Sequence, residues 1–179
     1  MAFDKTAALE KAKKIKLIVL DVHGVLTTNE VIYDQEGNRY RAFNHEDGFG
    51  ANALMACGIE LAVITRKSKA TEARMKDIGV KRFYQAKDKI AKYRELLEEL
   101  QLTDAEACYV GDEIIDIGAM KLVGMAVSPS DGKPDVLAIA DFVTEKAGGK
   151  GVLRELAEFI LRAQGKWEGF CDMVMTKGW

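Results

Sequence analysis

The chain has 179 residues, of which 48% are apolar and 30% charged, and its net charge is −2. This length and composition predict one α/β domain with a well-buried core. Basic residues are scattered rather than gathered in a stripe, and no apolar run is long enough to span a bilayer, which argues against nucleic acid or a membrane as partner. We therefore expect a cytoplasmic protein that binds a small molecule.

Helical and strand patterns alternate along the chain. Residues 4–14 predict a helix, 15–21 a buried strand, and the alternating runs 31–34 and 39–43 around a Gly/Asn turn predict a β-hairpin. The later pattern predicts helices at 47–57, 67–78, 87–101, 111–123, 134–140 and 152–163, and strands at 59–65, 80–84, 107–110, 125–127 and 142–143. This order predicts a doubly wound, mostly parallel three-layer sandwich over residues 1–164, with a hairpin flap at about 30–43 and a C-terminal tail at 165–179.

Polar side chains follow four of the predicted strands at the point where each strand ends. They are Asp21, Thr65, Lys89, and Asp112 with Glu113. Because loops at the carboxyl ends of parallel strands share one crevice, we expect these groups to lie together. Asp21 and Asp112 offer oxygen ligands suited to Mg²⁺. The Thr65 hydroxyl and the Lys89 ammonium can donate to phosphoryl oxygens.

This ordered set resembles the haloacid dehalogenase superfamily of aspartyl phosphotransferases. The matching motifs are Asp21-Val22-His23-Gly24-Val25-Leu26-Thr27, Thr65, Lys89, and Gly111-Asp112-Glu113-Ile114-Ile115-Asp116. Within that superfamily, the early hairpin and the segments 43–50 and 147–155 look like the capless 3-deoxy-D-manno-octulosonate-8-phosphate phosphatases, over roughly residues 15–165. The resemblance implies a Rossmann-like sheet and a Mg²⁺-dependent phosphatase of lipopolysaccharide biosynthesis.

The resemblance also implies roles for individual residues. Asp21 would be the nucleophile of a two-step hydrolysis, and Thr65 and Lys89 would bind the phosphoryl group. The implied metal ligands are Asp21, the backbone carbonyl of His23 and Asp112, with Glu113 and Asp116 in the outer shell. The predicted contacts to a phosphorylated sugar acid are Arg66, Lys67, Asp47, Gly48 and Arg154.

The resemblance further implies a homotetramer in which neighbouring subunits help to close the site. Arg154 and the tail 165–179 would then reach another subunit's pocket. The aromatic content of the tail predicts docking on a neighbouring subunit or over a site, with disorder as the alternative. Deleting residues 166–179 would then lower activity or change KM.

Three segments depart from the family pattern. His23 stands where the family has a second aspartate that acts as general acid and base; an imidazole can do both, although nearby cations disfavour its protonated form. Thr65-Arg66-Lys67 lacks the usual glycine, and the loop before Lys89 is one residue shorter. These changes affect which sugar is expected as substrate more than they affect the type of reaction.

His45 is interpreted as a helix cap or a substrate contact rather than a catalytic base.

Two other functions remain open at the level of sequence. A degenerate phosphatase kept as a binding or scaffold subunit would account for His23 and for the shortened loops. A phosphoacceptor receiver domain uses similar residue types, but its acid pair precedes the acceptor aspartate. Here the proposed nucleophile Asp21 comes first and the pair Asp112-Glu113 follows, which disfavours a receiver.

Overall fold

A computed structural model describes residues 4–178 of the chain. Its strands are β1 (Leu17–Leu20), β2 (Ile32–Tyr33), β3 (Arg39–Tyr40), β4 (Glu60–Thr65), β5 (Arg82–Gln85), β6 (Ala107–Val110), β7 (Met125–Ser128) and β8 (Phe142–Val143). Six of them form one sheet in the order β5-β4-β1-β6-β7-β8, in which every pairing is parallel. The strands β2 and β3 form a separate antiparallel hairpin.

Helices cover both faces of the sheet. They are α1 (Lys5–Ala12), α2 (His45–Ala56), α3 (Lys69–Asp77), α4 (Lys89–Leu100), α5 (Ile117–Met120), α6 (Pro134–Leu137), α7 (Val152–Ala163) and α8 (Trp167–Lys177). Successive side chains of β1 point to opposite faces. Ile18 and Leu20 therefore join the core that contains residues of α1, α2, α7 and α8, whereas Leu17 and Val19 join the core under α4 and α5. The predicted doubly wound α/β sandwich is confirmed.

Side-chain caps set the starts of the helices that lead away from the predicted site. Asn44, Ser68 and Asp88 each accept a backbone N–H from the first turn of α2, α3 and α4. Such a cap satisfies a backbone donor that has no partner within the helix. The cap of α2 is therefore Asn44, and His45 is the exposed first residue of that helix. Within residues 4–178, no helix has the length and apolar character that crossing a bilayer demands.

The predicted helix at 111–123 is wrong over most of its length. The chain forms a short 3₁₀ turn at Ile114–Asp116 and then the four-residue helix α5. Asp116 folds back over Gly111, so close that a Cβ atom on Gly111 would lie 2.4 Å from the Cβ of Asp116. The Asp116 carboxylate also accepts the backbone N–H of Glu113, at 3.3 Å. These contacts hold the loop in a tight turn instead of a regular helix.

The C-terminal segment is ordered and packs on its own chain. Residues Trp167–Lys177 form α8, and Trp167 and Phe170 are buried in the main core. The ring of Phe170 lies edge-on to Phe49 of α2, with 5.7 Å between the ring centroids. The alternative of a disordered tail is thus wrong for this part of the chain, because its aromatic side chains complete the core beside α2 and α7. Docking of this segment on a neighbouring subunit stays a prediction.

Candidate active site

Three buried carboxylates meet at the carboxyl ends of β1 and β6. Asp21 follows β1, and its backbone N–H still donates to the Val110 carbonyl of β6, at 3.0 Å. Asp112 and Asp116 lie in the loop after β6. One carboxylate oxygen from each of the three lies within 4.8 Å of the other two. Asp21 and Asp112 are therefore close enough to share one cation.

Lys89 lies between two of these carboxylates. Its ammonium group is 3.0 Å from Asp21 and 2.7 Å from Asp116, and its side chain is only 7% exposed. Burial and repulsion from Asp116 raise the pKa of Asp21 to about 6, while Lys89 opposes this rise. Lys89 thus supplies a positive charge to both Asp21 and Asp116 in a place that bulk solvent does not reach.

The donor set fits a hard divalent cation. Asp112 Oδ1 is buried and has no hydrogen-bond partner among the described residues. Burial raises the pKa of Asp112, which means that an added positive charge would stabilise its ionised form. Both oxygens of Asp116, in contrast, already accept hydrogen bonds, from Lys89 and from the backbone of Glu113. Asp21 and Asp112 are thus the better ligands for Mg²⁺, and Asp116 is better suited to holding Lys89.

Close backbone packing shapes the loop after β1. Gly24 has a φ of +80°, and a Cβ atom there would lie 2.0 Å from Asp112 Oδ2, so only glycine lets the two loops approach. Gly148 packs against the Gly24 carbonyl from the other side, and the Gly149 N–H donates to the Val25 carbonyl at 2.8 Å. The glycine-rich segment that begins at Gly148 therefore braces the nucleophile loop.

A crevice of about 950 Å³ opens beside the carboxylates. Lys89 lines it together with Arg66, Lys67 and the apolar side chains of Ile90 and Ile115. Arg66 and Lys67 are exposed and have no hydrogen bond or ion pair with any other described residue, so they remain available to a ligand. Basic and apolar walls of this kind suit a ligand that carries both anionic groups and a carbon skeleton.

Thr65 lies at the end of β4 with a fully buried side chain. Its hydroxyl oxygen has no hydrogen-bond partner among the described residues. A buried hydroxyl without a partner carries a desolvation cost, which a ligand with acceptor oxygens would remove. Thr65 therefore retains a free donor at the same edge of the sheet as Asp21.

His23 is half-buried in the loop after the nucleophile, and its Nδ1 atom has no partner among the described residues. Burial lowers the pKa of this imidazole to about 4, and repulsion adds to the effect from four cations: Arg41, Arg39, Lys89 and Arg66. His23 is thus neutral near pH 7 in the absence of ligands. A neutral imidazole has a lone pair that can accept a proton, but a pKa this low makes it a weak base and leaves little of the acidic, protonated form at pH 7.

Three of the predicted substrate contacts, Asp47, Gly48 and Arg154, are not among the residues that line this crevice. Asp47 is buried, and its Oδ1 accepts the backbone N–H groups of Leu153, at 2.8 Å, and of Arg154. Gly48 is buried where a Cβ atom would lie 2.7 Å from the Arg74 guanidinium. Asp47 thus ties the start of α2 to the start of α7, and sequence spacing did not show that these two helices meet there.

Arg154 is held by aromatic rings. Its guanidinium lies 4.6 Å from the ring centroid of Trp167 and 5.4 Å from that of Phe49, and it pairs with Glu158 at 2.9 Å. Arg154 and His45 both line a second cavity. None of the three clustered carboxylates lines that cavity. Within this chain, Arg154 therefore helps to fix α8 on α7. A contact of Arg154 with substrate in another subunit's pocket stays a prediction.

Two residues at the site had no signal in the sequence. The amide of Asn29 donates to Asp112 Oδ2 at 3.1 Å, and the hydroxyl of Tyr109 donates to Asp116 Oδ1 at 3.0 Å. Asn29 lies in an irregular loop, and Tyr109 lies in a strand whose aromatic residue fits an ordinary core position. Both hydrogen bonds orient carboxylates that would otherwise repel each other.

Comparison with known proteins agrees with this geometry. A family model described as haloacid dehalogenase-like hydrolase matches residues 74–156. The 3-deoxy-D-manno-octulosonate 8-phosphate phosphatase KdsC of Salmonella typhi is 39% identical over 163 residues, which cover 90% of this chain and 87% of that protein. The match therefore spans nearly the full length of both proteins.

Solved structures give the same result. The phosphatase of that name from Yersinia pestis superposes with a TM-score of 0.89 at 36% identity, over 94% of this chain and 96% of its own. The one from Moraxella catarrhalis, solved in complex with a magnesium ion, a phosphate ion and a KDO molecule, has a TM-score of 0.89 at 36% identity, over 93% and 97% of the two chains. The chain therefore belongs to the haloacid dehalogenase superfamily, in its group of 3-deoxy-D-manno-octulosonate 8-phosphate phosphatase-like proteins, and is a phosphatase.

Proposed function

We propose that this protein is a Mg²⁺-dependent phosphatase that hydrolyses a phosphorylated sugar acid, 3-deoxy-D-manno-octulosonate 8-phosphate or a close relative of it. The observation that supports this most strongly is the meeting of Asp21, Asp112 and Lys89 at one edge of the sheet. The names of the relatives support the choice of sugar. The basic crevice lined by Arg66 and Lys67 suits an anionic sugar phosphate.

In the first step, an oxygen of the Asp21 carboxylate attacks phosphorus and the bond from phosphorus to the sugar oxygen breaks. The donors Thr65 and Lys89 bind the phosphoryl oxygens and hold the group in line for attack. Mg²⁺ held by Asp21, Asp112 and the His23 carbonyl would supply further positive charge at the phosphoryl oxygens. The departing sugar oxygen takes its proton from a water molecule, because His23 is neutral near pH 7, and the hydroxide left behind is neutralised by solvent.

In the second step, water attacks the phosphorus of the aspartyl-phosphate. His23 is well suited to this step, because its neutral imidazole can accept the proton that the attacking water loses. The bond from phosphorus to Asp21 breaks, inorganic phosphate leaves, and the carboxylate is regenerated. The low pKa of His23 in the free protein therefore populates the base form that the second step needs, and it leaves little of the acid form that the first step needs.

The proposal is tested by measuring phosphate release from 3-deoxy-D-manno-octulosonate 8-phosphate and from a panel of sugar phosphates, with Mg²⁺ and with a chelator. We expect turnover only with the metal, and a loss of more than about 1,000-fold in Asp21→Asn because the nucleophile is gone. Asp172→Asn makes the same chemical change at an exposed position of α8 and is the matched control. Activity that survives in Asp21→Asn would refute the assigned nucleophile.

A second function, that of a degenerate phosphatase acting as a binding or scaffold subunit, is favoured by one observation. The imidazole of His23 is neutral and its Nδ1 atom is buried without a partner among the described residues, which leaves the leaving group without a ready acid. His23→Asp separates the two functions. For a working enzyme with retuned proton transfer, we expect His23→Asp to raise kcat at least about tenfold. No turnover of any sugar phosphate by either protein would favour the scaffold.

A further inference from the structure

One face of the β2–β3 hairpin carries two arginines that the proposed mechanism does not use. Tyr33 pairs with Arg39 across the hairpin, and Ile32 pairs with Tyr40. Because side chains alternate along a strand, Arg39 extends from the same face as Tyr33, whereas Ile32 and Tyr40 extend from the other. Arg41 follows β3 directly, and alternation continued by one residue puts it on the face of Arg39. The hairpin thus has one basic face and one apolar face.

Neither guanidinium on the basic face has a hydrogen bond or an ion pair with another residue in the described range 4–178. Arg39 is exposed, but Arg41 is half-buried, and its Nε atom is shielded from water without an acceptor. A buried N–H donor without an acceptor costs free energy, and native structures seldom leave one in this state. Arg41 therefore has an N–H donor for which residues 4–178 supply no acceptor.

The basic face lies beside the proposed acid and base. Ile32 pairs with Tyr40, so Arg41, the next residue, lies at the end of the hairpin that is nearest in sequence to Asn29. The segment that leads into β2 is also tied to the site, because Asn29 donates to Asp112 at 3.1 Å. The end of the hairpin that carries Arg41 therefore lies next to the loop that holds Asp112, and Arg41 is not among the residues that pair with Asp21 or Asp116.

Lys89 and the two hairpin arginines would therefore face different parts of a bound substrate. Lys89 and Thr65 lie with the nucleophile, where the phosphoryl group would be. The residue two positions after the nucleophile faces the oxygen that leaves, so groups beyond His23 face the leaving sugar. In a phosphorylated sugar acid, the anionic group of the leaving portion is its carboxylate.

We propose that Arg41, assisted by Arg39, binds the carboxylate of the substrate's sugar-acid portion and so makes the enzyme selective for acidic over neutral sugar phosphates. The planar guanidinium of arginine suits a carboxylate because two parallel N–H groups can donate to its two oxygens. The inference rests on the proposed phosphatase function. It adds the recognition of a second anionic group to that function, by residues outside the four catalytic motifs.

The test compares two substrates on the Mg²⁺-loaded enzyme: 3-deoxy-D-manno-octulosonate 8-phosphate and arabinose 5-phosphate, which has no carboxylate. In Arg41→Gln we expect KM for the acidic substrate to rise about 10- to 100-fold, the factor associated with loss of a charged hydrogen bond. The kcat/KM for arabinose 5-phosphate should change by less than about threefold, because the phosphoryl contacts are intact. Arg41→Lys should be intermediate, since it keeps the charge but not the paired donors.

A binding measurement gives a readout that does not depend on turnover. Calorimetry with the free sugar acid 3-deoxy-D-manno-octulosonate should show weaker binding to Arg41→Gln than to the unaltered protein. Arg94→Gln removes the same group from an exposed position of α4, where it pairs with Asp104, and should bind the sugar acid normally. Thermal unfolding of all variants checks that the fold is kept.

The outcomes separate this inference from the proposed function. If the unaltered protein hydrolyses the acidic substrate but Arg41→Gln loses both substrates equally, Arg41 serves the phosphoryl group and the inference is wrong. If neither catalysis nor sugar-acid binding changes in Arg41→Gln and Arg41→Lys, the guanidinium does not contact the substrate, and the inference is again wrong. If the unaltered protein releases phosphate from neither substrate and does not bind the sugar acid, the proposed function and the inference both fail.

Discussion

Replacing Lys89 by methionine is expected to destabilise the metal-free protein and to abolish most of its activity. Methionine keeps much of the length of the lysine side chain but removes the charge between Asp21 and Asp116. The ammonium group is 3.0 Å from Asp21 and 2.7 Å from Asp116, and the lysine side chain is nearly inaccessible to water. The substitution therefore leaves clustered carboxylates without their only internal cation among the described residues.

The size of the effect follows from these distances. At an effective dielectric constant of about 20, a pair of unit charges about 3 Å apart interacts with about 5 kcal/mol. Desolvation offsets part of each interaction, and measured losses on breaking a buried ion pair are about 3–5 kcal/mol. Asp21 has a pKa of about 6 and can take up a proton when Lys89 is lost, which relieves part of the repulsion. We therefore expect the free energy of unfolding to fall by about 3 kcal/mol at neutral pH.

Urea denaturation in a chelator and in Mg²⁺ measures this effect. Mg²⁺ binds the same carboxylates, so it should stabilise Lys89→Met more than the unaltered protein and reduce the difference between them. Phosphate release should fall about 100- to 1,000-fold even with Mg²⁺, because a donor to the phosphoryl group is missing. Lys92→Met breaks an exposed pair with Glu95 on the same helix and should cost less than about 1 kcal/mol. Equal stabilities of Lys89→Met and Lys92→Met would refute the reasoning.

Three further predictions concern the metal, the pH dependence of stability and the C-terminal helix. Asp112→Asn should weaken Mg²⁺ binding at least about tenfold in calorimetry, since it removes a charged ligand; unchanged affinity would exclude Asp112 as a ligand. Burial raises the pKa of Asp47 from 3.8 to about 6, so between these pH values the folded state binds a proton that the unfolded state has lost. The free energy of unfolding therefore falls as the pH rises from 3.8 to about 6, by up to about 3 kcal/mol. Denaturation at pH 4 and pH 6.5 should show a smaller fall in Asp47→Asn, whose amide oxygen can still accept the Leu153 N–H; an identical fall would contradict the assignment. Trp167→Ala should lower the free energy of unfolding by about 3–5 kcal/mol in urea while leaving kcat of the folded enzyme unchanged, and a large loss of kcat would show that α8 does reach an active site.

Local sequence was sufficient for the parts of the protein that depend on chain order and periodicity. Apolar runs ending in Asp21 and in the Gly111-Asp112 pair are strands of a parallel sheet, and the ends of such strands meet at one edge whatever the details of packing. The proximity of Asp21 and Asp112 could therefore be predicted before the structure was known. Alternation around Gly37 likewise predicted the hairpin.

Tertiary structure alone decided the roles that depend on contacts between distant segments. Packing of α2, α7 and α8 gives Asp47 two backbone N–H donors and places Arg154 against two aromatic rings, contacts that the sequence pattern did not indicate. The turn at Gly111 is not helical because Asp116 folds onto it, which no propensity encodes. The free donors of Arg41 are visible only once every possible acceptor in the described chain has been placed. Periodicity reports which face of an element is buried, whereas the partner on that face is set by packing among elements that lie far apart in sequence.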